Sequence, residues 1–426
     1  MSDVTASLCS FIDAAPCPAF AADEIERRLA EAGFTALALT APRWDLQSGG
    51  RYRLRQGDSV VAFALRGPAL RAFHLVGAHT DSPHLRLKPV PALDEDGYRR
   101  LAIEVYGGAL WNSWLDRDLG LAGTLHTANG TVHRVRLHRP FARVPQLAIH
   151  LDRRVNEDGL KLNPQKHLLP MWGLATTASA AVAALDAQLA QAAGIQAADI
   201  VARDLSLYDL TPAAVGGGAG EFLFAGRLDN LASCHAGMQA LIAVAAAGDA
   251  DVVPVLACFD HEEVGSESAS GADSAFLTQV LERVALACGC DRAGFLALLA
   301  GSAMLSADMA HAAHPGQSER HDAQHRPVLG GGPVLKTNAN QRYATSPAMA
   351  ARVRLLARAA GIPLQDFVAR NDVGCGSTIG PAVAANLGIS VADVGQAMLS
   401  MHSARECAAV ADHAPYIALL AEHLRG

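Results

Sequence analysis

Five short segments of this chain bring imidazoles and carboxylates to the ends of apolar runs. The run ending at Val76 leads into His79-Thr80-Asp81, and Arg227-Leu228-Asp229-Asn230 opens a helical pattern. A buried-strand pattern over 252–259 ends in Asp260-His261-Glu262-Glu263. A shorter one over 303–306 leads to Asp308 and His311, and Leu399-Ser400-Met401-His402 follows a last strand–helix run. Each segment alone has a plain reading: a surface histidine beside a turn, a helix N-cap at Asp229, a solvated acidic turn at 260–263. Two adjacent acids at a strand end are costly if both ionise, unless cations compensate. A division of labour removes that cost: Glu263 ligates a metal while Glu262 stays free as a general base. This is not the HExxH zinc helix, because Gly265 stands where the second histidine would fall.

In chain order His79, Asp229, Glu263, Asp308 and His402 supply two imidazoles and three carboxylates. That nitrogen and oxygen set suits zinc, with manganese or cobalt as substitutes. A pair of zinc ions outweighs three carboxylates in charge and would lower the pKa of a bound water towards neutrality. Glu262 would take its proton. Asp81 could accept the other N–H of His79, which fixes the tautomer and raises basicity towards a metal.

The elements that must position these residues follow from hydrophobic patterning. A helical period spans 21–33, and short apolar runs at 60–65 and 72–76 read as buried strands. From about Asp94 the pattern turns β-rich, with a strand over 101–106. Runs at 124–128 and 131–137 flank Asn129-Gly130, a dipeptide suited to a type I′ hairpin turn. Thr176–Ala193 reads as an Ala-rich helix, and Gly216–Gly220 as a tight or flexible connection. After Phe222 strands and helices alternate: helix 231–247, strand 252–259, helix 276–288, strand 303–306, helix 348–360, strand 389–394 and a terminal helix 413–424. Alternation of this kind predicts an α/β sheet with helices on both faces. The expected organisation is one α/β/α domain, residues 1–93 and 226–426, interrupted by a β-rich insert at 94–225.

Composition excludes several classes. Of 426 residues half are hydrophobic and 18% charged, which argues against disorder. A formal charge of −7 disfavours a nucleic-acid binder. No run reaches the ~18 apolar residues of a membrane span, and the N-terminus does not read as a secretory signal. Eight cysteines without a CxxC pair point to free thiols in a reducing cytoplasm.

At these motifs the chain resembles the aspartyl aminopeptidase family of dinuclear zinc exopeptidases. The residues that carry the resemblance are HTDSPHLRLKP from His79, YGGALWNSWLDRDLGLAG from Tyr106, RLDNLAS from Arg227, DHEEVGS from Asp260, SADMAHAAHP from Ser306, GPVLKTNANQRYAT from Gly332, GCGSTIGP from Gly374 and LSMHSARE from Leu399. They occur in the family's order over nearly the whole chain. The resemblance implies two zinc ions per subunit: His79 and Asp308 on one, Glu263 and His402 on the other, Asp229 bridging. It implies Glu262 as base, Asp81 as the partner of His79, and His150, His311, Lys336 and Tyr343 as substrate contacts. His311 could stabilise the oxyanion, and Lys336 would pair with an N-terminal Asp or Glu side chain. The insert would be a dimerisation domain that carries His150 across to a second subunit, with dimers building a dodecamer. Peptides with a free N-terminus are the implied substrates. A broad or leucine-preferring aminopeptidase, a related deacylase or carboxypeptidase, and a non-catalytic zinc scaffold are the competing readings.

Overall fold

The computed structural model describes residues 3–175, 180–247 and 251–426. Its chain divides into two compact units, Met1–Asp81 with Ala213–Met401 and Glu406–Gly426, and Ser82–Pro212 with His402–Arg405.

The first unit is built on a nine-stranded sheet in the order Thr35–Ala36, Arg51–Gln56, Ser59–Ala64, Val252–Phe259, Ala72–His79, Ala303–Ala307, Ser390–Gly395, Val334–Thr337, Gln365–Val368. Its centre is four parallel strands, from Val252–Phe259 to Ser390–Gly395. These strands are continuous apolar runs because both sheet faces are covered. Alternate residues point to opposite faces. Val76, Ala78, Leu256 and Cys258 join the core beneath the helices Asp3–Ala14, Pro18–Glu31, Leu228–Val244 and Val410–Arg425. Phe73, Leu75, Val255 and Ala257 join the opposite core with the helices Phe276–Ala287, Arg292–Ala300 and Ile379–Leu387. Each fully buried Leu, Val or Phe contributes roughly 1.5–3 kcal/mol. The α/β/α expectation is met. Helix starts are capped by side chains: Asp291 accepts from Gly294 N–H at 2.7 Å, and Ser346 from Met349 N–H at 3.2 Å ahead of Pro347. A smaller five-stranded sheet joins Ala214–Gly216, Phe222–Ala225, Glu406–Ala409, Ala397–Leu399 and Ala310–His311.

The second unit is a six-stranded sheet in the order Val132–Ala142, Leu119–Thr127, Ile200–Asp209, His84–Glu95, Tyr98–Tyr106, Met171–Leu174. All its pairings are antiparallel. The helix Ala181–Ala193 packs Leu185 and Leu189 into its core. Of the helix expected over Thr176–Ala193, residues 176–179 lie outside the described residues.

Two expectations need correction. The units part after Asp81 and Pro212 rather than at 93/94 and 225/226. The strand His84–Glu95 runs unbroken across residue 94 and pairs on both sides within the six-stranded sheet, while Phe222–Ala225 pairs with Glu406–Ala409 of the first unit. The Asn129-Gly130 hairpin is not type I′, because only Gly130 takes a positive φ, 83°. Asn129 instead accepts from Thr131 N–H (3.0 Å) and Thr127 Oγ1 (2.8 Å), and Thr127 N–H donates to Thr131 O across a three-residue loop (3.0 Å). Among the described residues no helix is long and apolar enough to cross a membrane.

Candidate metal centre

The centre forms where parallel strands end. Phe259 pairs with His79 and Ser306 with Gly77, so His79, the turn after Phe259 and Asp308 emerge at one edge. Open α/β sheets hold their ligands at this carboxyl edge. Asp308 is drawn in by its own N–H, which donates to Val394 O at 2.9 Å. Gly395 permits that approach, since a Cβ there would lie 2.0 Å from the Asp308 carbonyl oxygen. Asp229 stands at the start of the helix Leu228–Val244, with its N–H donating to Glu406 Oε2 at 3.2 Å. The neighbouring Asn230 amide donates to Ala307 O at 2.9 Å and ties that helix start to the Asp308 strand.

One ligand atom each from His79, Asp229 and Glu263 lies within 4.8 Å of the others. His79 Nε2 is 3.4 Å from Asp229 Oδ1 and 3.7 Å from Asp308 Oδ1. Glu262 Oε2 lies beside this group, 3.9 Å from the same nitrogen. The sequence-derived residues His79, Asp81, Asp229, Glu262, Glu263 and Asp308 are thus brought together.

Asp81 does more than expected. It is fully buried, and its carbonyl oxygen accepts from His79 Nδ1–H at 3.0 Å, leaving Nε2 to face the other acids. Its carboxylate Oδ1 is 3.3 Å from the same Nδ1. The two carboxylate oxygens also accept the N–H groups of Glu262 (3.2 Å) and Glu263 (3.0 Å). His261, with φ 65° in the left-handed region, turns the chain so that both amides can point there. The acid that orients the imidazole therefore also fixes the turn that carries Glu262 and Glu263.

The electrostatics fit a cation. Burial opposes a proton on His79, yet Asp229, Asp308 and Asp81 outweigh it and hold the imidazole well above its ordinary pKa. Burial, reinforced by Asp308, Asp81 and Asp229, pushes the Glu262 carboxyl up to about 8 against the opposing pull of His79. A buried nest of acids around one imidazole is unfavourable by itself and becomes favourable around a divalent ion. Imidazole plus carboxylate is also the donor chemistry zinc takes.

The remaining candidates are arranged differently. His402 belongs to the second unit, where its Nδ1–H donates to Gly108 O at 3.1 Å. His150 is exposed on a turn of that unit. In the first unit His311 and Tyr343 line a cavity of about 270 Å³ and both pack edge-on against Phe367.

Lys336 does not line that cavity, and its contacts differ from a lysine awaiting a substrate side chain. It is 1% exposed, and Nζ donates to Asp308 O (2.9 Å) and Met309 O (3.1 Å), 3.6 Å from Asp308 Oδ2. Its strand pairs with Ser390–Gly395 so that Lys336 stands opposite Asp393, a wholly buried acid. Sequence reasoning passed over Asp393, although an acid inside the apolar run 389–394 was a signal. It also passed over Arg320 and Arg370 on the cavity wall, where the Arg- and His-rich stretch 320–326 was the available clue.

Residues 11–423 match the family model of the Aminopeptidase I zinc metalloprotease (M18). A probable M18 family aminopeptidase 2 of Streptomyces coelicolor is 47% identical over 420 residues, spanning 98% of this chain and 96% of its own. One of Mycobacterium tuberculosis is 46% identical over 429 residues, 99% of this chain and 98% of its own. Among solved structures, a chain of the Ape4 and Nbr1 complex superposes with a TM-score of 0.94 at 35% identity, covering 99% of this chain and 85% of that one. The yeast mApe1 dodecamer gives 0.86 at 27%, covering 99% and 97%. With the family model matched almost end to end, the chain belongs to the M18 family and is a zinc aminopeptidase.

Proposed function

We propose that this aminopeptidase removes an acidic residue, Asp or Glu, from the N-terminus of peptides, with two zinc ions and Glu262 as general base. The observation that supports it most is the 3.9 Å between Glu262 Oε2 and His79 Nε2, a carboxylate beside the ligand cluster. His79, Asp229, Glu263 and Asp308 would hold the metal; His402 as a further ligand rests on the sequence alone. Zinc bound there supplies Lewis acidity towards the scissile carbonyl and eases deprotonation of the attacking water. Glu262 accepts that proton and returns it to the leaving amine. Asp81 keeps the imidazole and the 262–263 turn in register throughout. His311 and Tyr343, on the cavity wall, contact the substrate.

The yeast relative is a dodecamer, and we extend to this chain an assembly of dimers into a dodecamer. The second unit would dimerise and carry His150 to the partner's site. All eight cysteines are free, which fits a cytoplasmic location.

A broad or leucine-preferring aminopeptidase would use the same centre, and the burial of Lys336 against Asp308 is the observation that favours it. Metal-stripped protein reconstituted with zinc, manganese or cobalt and assayed on Asp-, Glu- and Leu-anilides tests both. The proposal expects activity to return with metal and to be greatest on Asp or Glu. Greatest activity on Leu overturns the acidic preference, and activity without metal overturns the centre.

A further inference from the structure

The helix Leu228–Val244 holds more of the centre than Asp229. Soon after that residue the Asn230 amide bonds to Ala307 O, and the Cys234 thiol donates to the main-chain carbonyl of His79 at 2.9 Å. Ser233 is wholly buried and faces the C-terminal helix Val410–Arg425, where its Oγ lies 3.2 Å from the Tyr416 hydroxyl. That hydroxyl donates to Val394 O at 3.3 Å. Val394 O is also the acceptor for Asp308 N–H, at 2.9 Å. One phenol therefore joins the helix that starts beside Asp229 to the carbonyl that fixes the Asp308 main chain.

Packing does not require this hydroxyl. Tyr416 is 0% exposed, and its ring sits in the apolar core with Leu419 and Leu420, a place that Phe would fill as well. A buried hydroxyl costs free energy unless it is paired, so a tyrosine here is explained by its partners. Burial raises its pKa, with Asp308, Cys234 and Asp229 adding and Ser233 opposing, so the phenol stays protonated and remains a donor.

We infer that Tyr416 is a positioning residue for the reaction: by bonding to Ser233 and Val394 O at once, it sets how Asp229 and Asp308 stand about His79 Nε2, at 3.4 and 3.7 Å. The inference rests on the reading of His79, Asp229 and Asp308 as metal ligands. Zinc and its substitutes take carboxylate oxygens over a narrow range of distances, so a small displacement of either acid changes affinity and ligand field together.

The test titrates metal-stripped wild type, Tyr416→Phe and the double variant Ser233→Ala/Tyr416→Phe with cobalt, whose visible absorption reports ligand geometry. Tyr416→Phe should weaken cobalt binding about two- to tenfold, the worth of one neutral hydrogen bond, and shift the visible bands. Adding Ser233→Ala removes the hydroxyl that Tyr416→Phe leaves unpaired. The thermal midpoint of the metal-free protein should then recover while both cobalt defects persist. Unchanged cobalt affinity and spectrum in Tyr416→Phe overturn the positioning role. Recovery of both in the double variant overturns it too, because the phenol then serves only to pair Ser233. Asp308→Asn separates this from the ligand reading: wild-type cobalt affinity and spectrum in that variant overturn the metal centre, and the inference with it.

Discussion

Replacing Asp81 by Asn tests whether one buried carboxylate organises the centre. The change keeps the volume and leaves the main-chain carbonyl that accepts from His79 Nδ1–H at 3.0 Å. It converts one of two acceptor oxygens into a donor. The amides of Glu262 and Glu263 each donate to one of those oxygens, at 3.2 and 3.0 Å, so at least one N–H then meets an NH2 group. A lost hydrogen bond to a charged group costs roughly 1.5–3 kcal/mol. A loss of that size spread over ligand placement corresponds to a roughly 10–100-fold drop in metal affinity, the usual range when a ligand's supporting partner is removed. Zinc affinity measured by competition with a chromophoric chelator should fall by that amount in Asp81→Asn. Turnover at saturating zinc should fall as well, because the Glu262 turn shifts. Thermal midpoints with zinc bound separate this from unfolding. A variant that binds zinc and turns over like the wild type would show that the imidazole and the acidic turn are held by something other than Asp81.

Glu262→Gln should retain zinc yet lose about 10²–10⁴-fold in kcat, and near wild-type turnover would remove the residue from the base role. Lys336→Met should lower zinc affinity and turnover on acidic and neutral substrates alike, because Nζ holds Asp308; a loss confined to acidic substrates would return the lysine to the specificity role. Burial, with Arg352 adding, pushes His74 down to about 4, and burial alone does the same to His413. Unfolded imidazoles titrate near 6.5, so the unfolded chain binds more protons as pH falls from about 6.5 to 4, and stability falls with it by roughly 2 kcal/mol per imidazole at pH 5. Denaturant unfolding at pH 7 and 5 measures that loss, which should shrink in His413→Gln; a pH-independent midpoint refutes neutral burial of the pair.

Much of the first unit was legible because its strands are apolar runs that end in polar residues. Val252–Phe259 was readable to the residue, bounded by Asp251 and Asp260. The strand at Ala72 continues to His79 because hydrogen bonding to Val252–Phe259 persists past the point where Gly77 breaks the apolar signal. Thr35–Ala36 and Ala310–His311 were hidden, since two residues carry no periodicity and such strands exist only through their partners. The helix Ile379–Leu387 was obscured by Gly380-Pro381, although Thr378 caps it by accepting from Gly380 N–H at 3.2 Å. His79, Glu263 and Asp308 stood out as candidates because each follows the end of an apolar run, and Asp229 because it opens a helical one. That Asp81 would accept from amides 181 and 182 positions away could not be read, because the pairing is made by neighbouring strands in space.

Lys336 shows the same limit in electrostatic form. A lysine in a Gly/Asn/Thr-rich segment carries no mark of what will answer its charge. The register decides it: Ser306 pairs with Asp393 on one side, and Lys336 pairs with Asp393 on the other. Three adjacent strands thereby enclose one ammonium with the acids Asp308 and Asp393. Burial raises the Asp393 carboxyl while Lys336, the Thr378 and Ser306 hydroxyls and the Ala344 amide pull it back. Removing one partner from such a buried set costs about 3–5 kcal/mol, because the other charges stay buried and uncompensated. A lysine kept for reading substrates needs its ammonium within reach of solvent. This one has exchanged water for Asp308 and two backbone carbonyls, so its charge is committed to holding Asp308 in place.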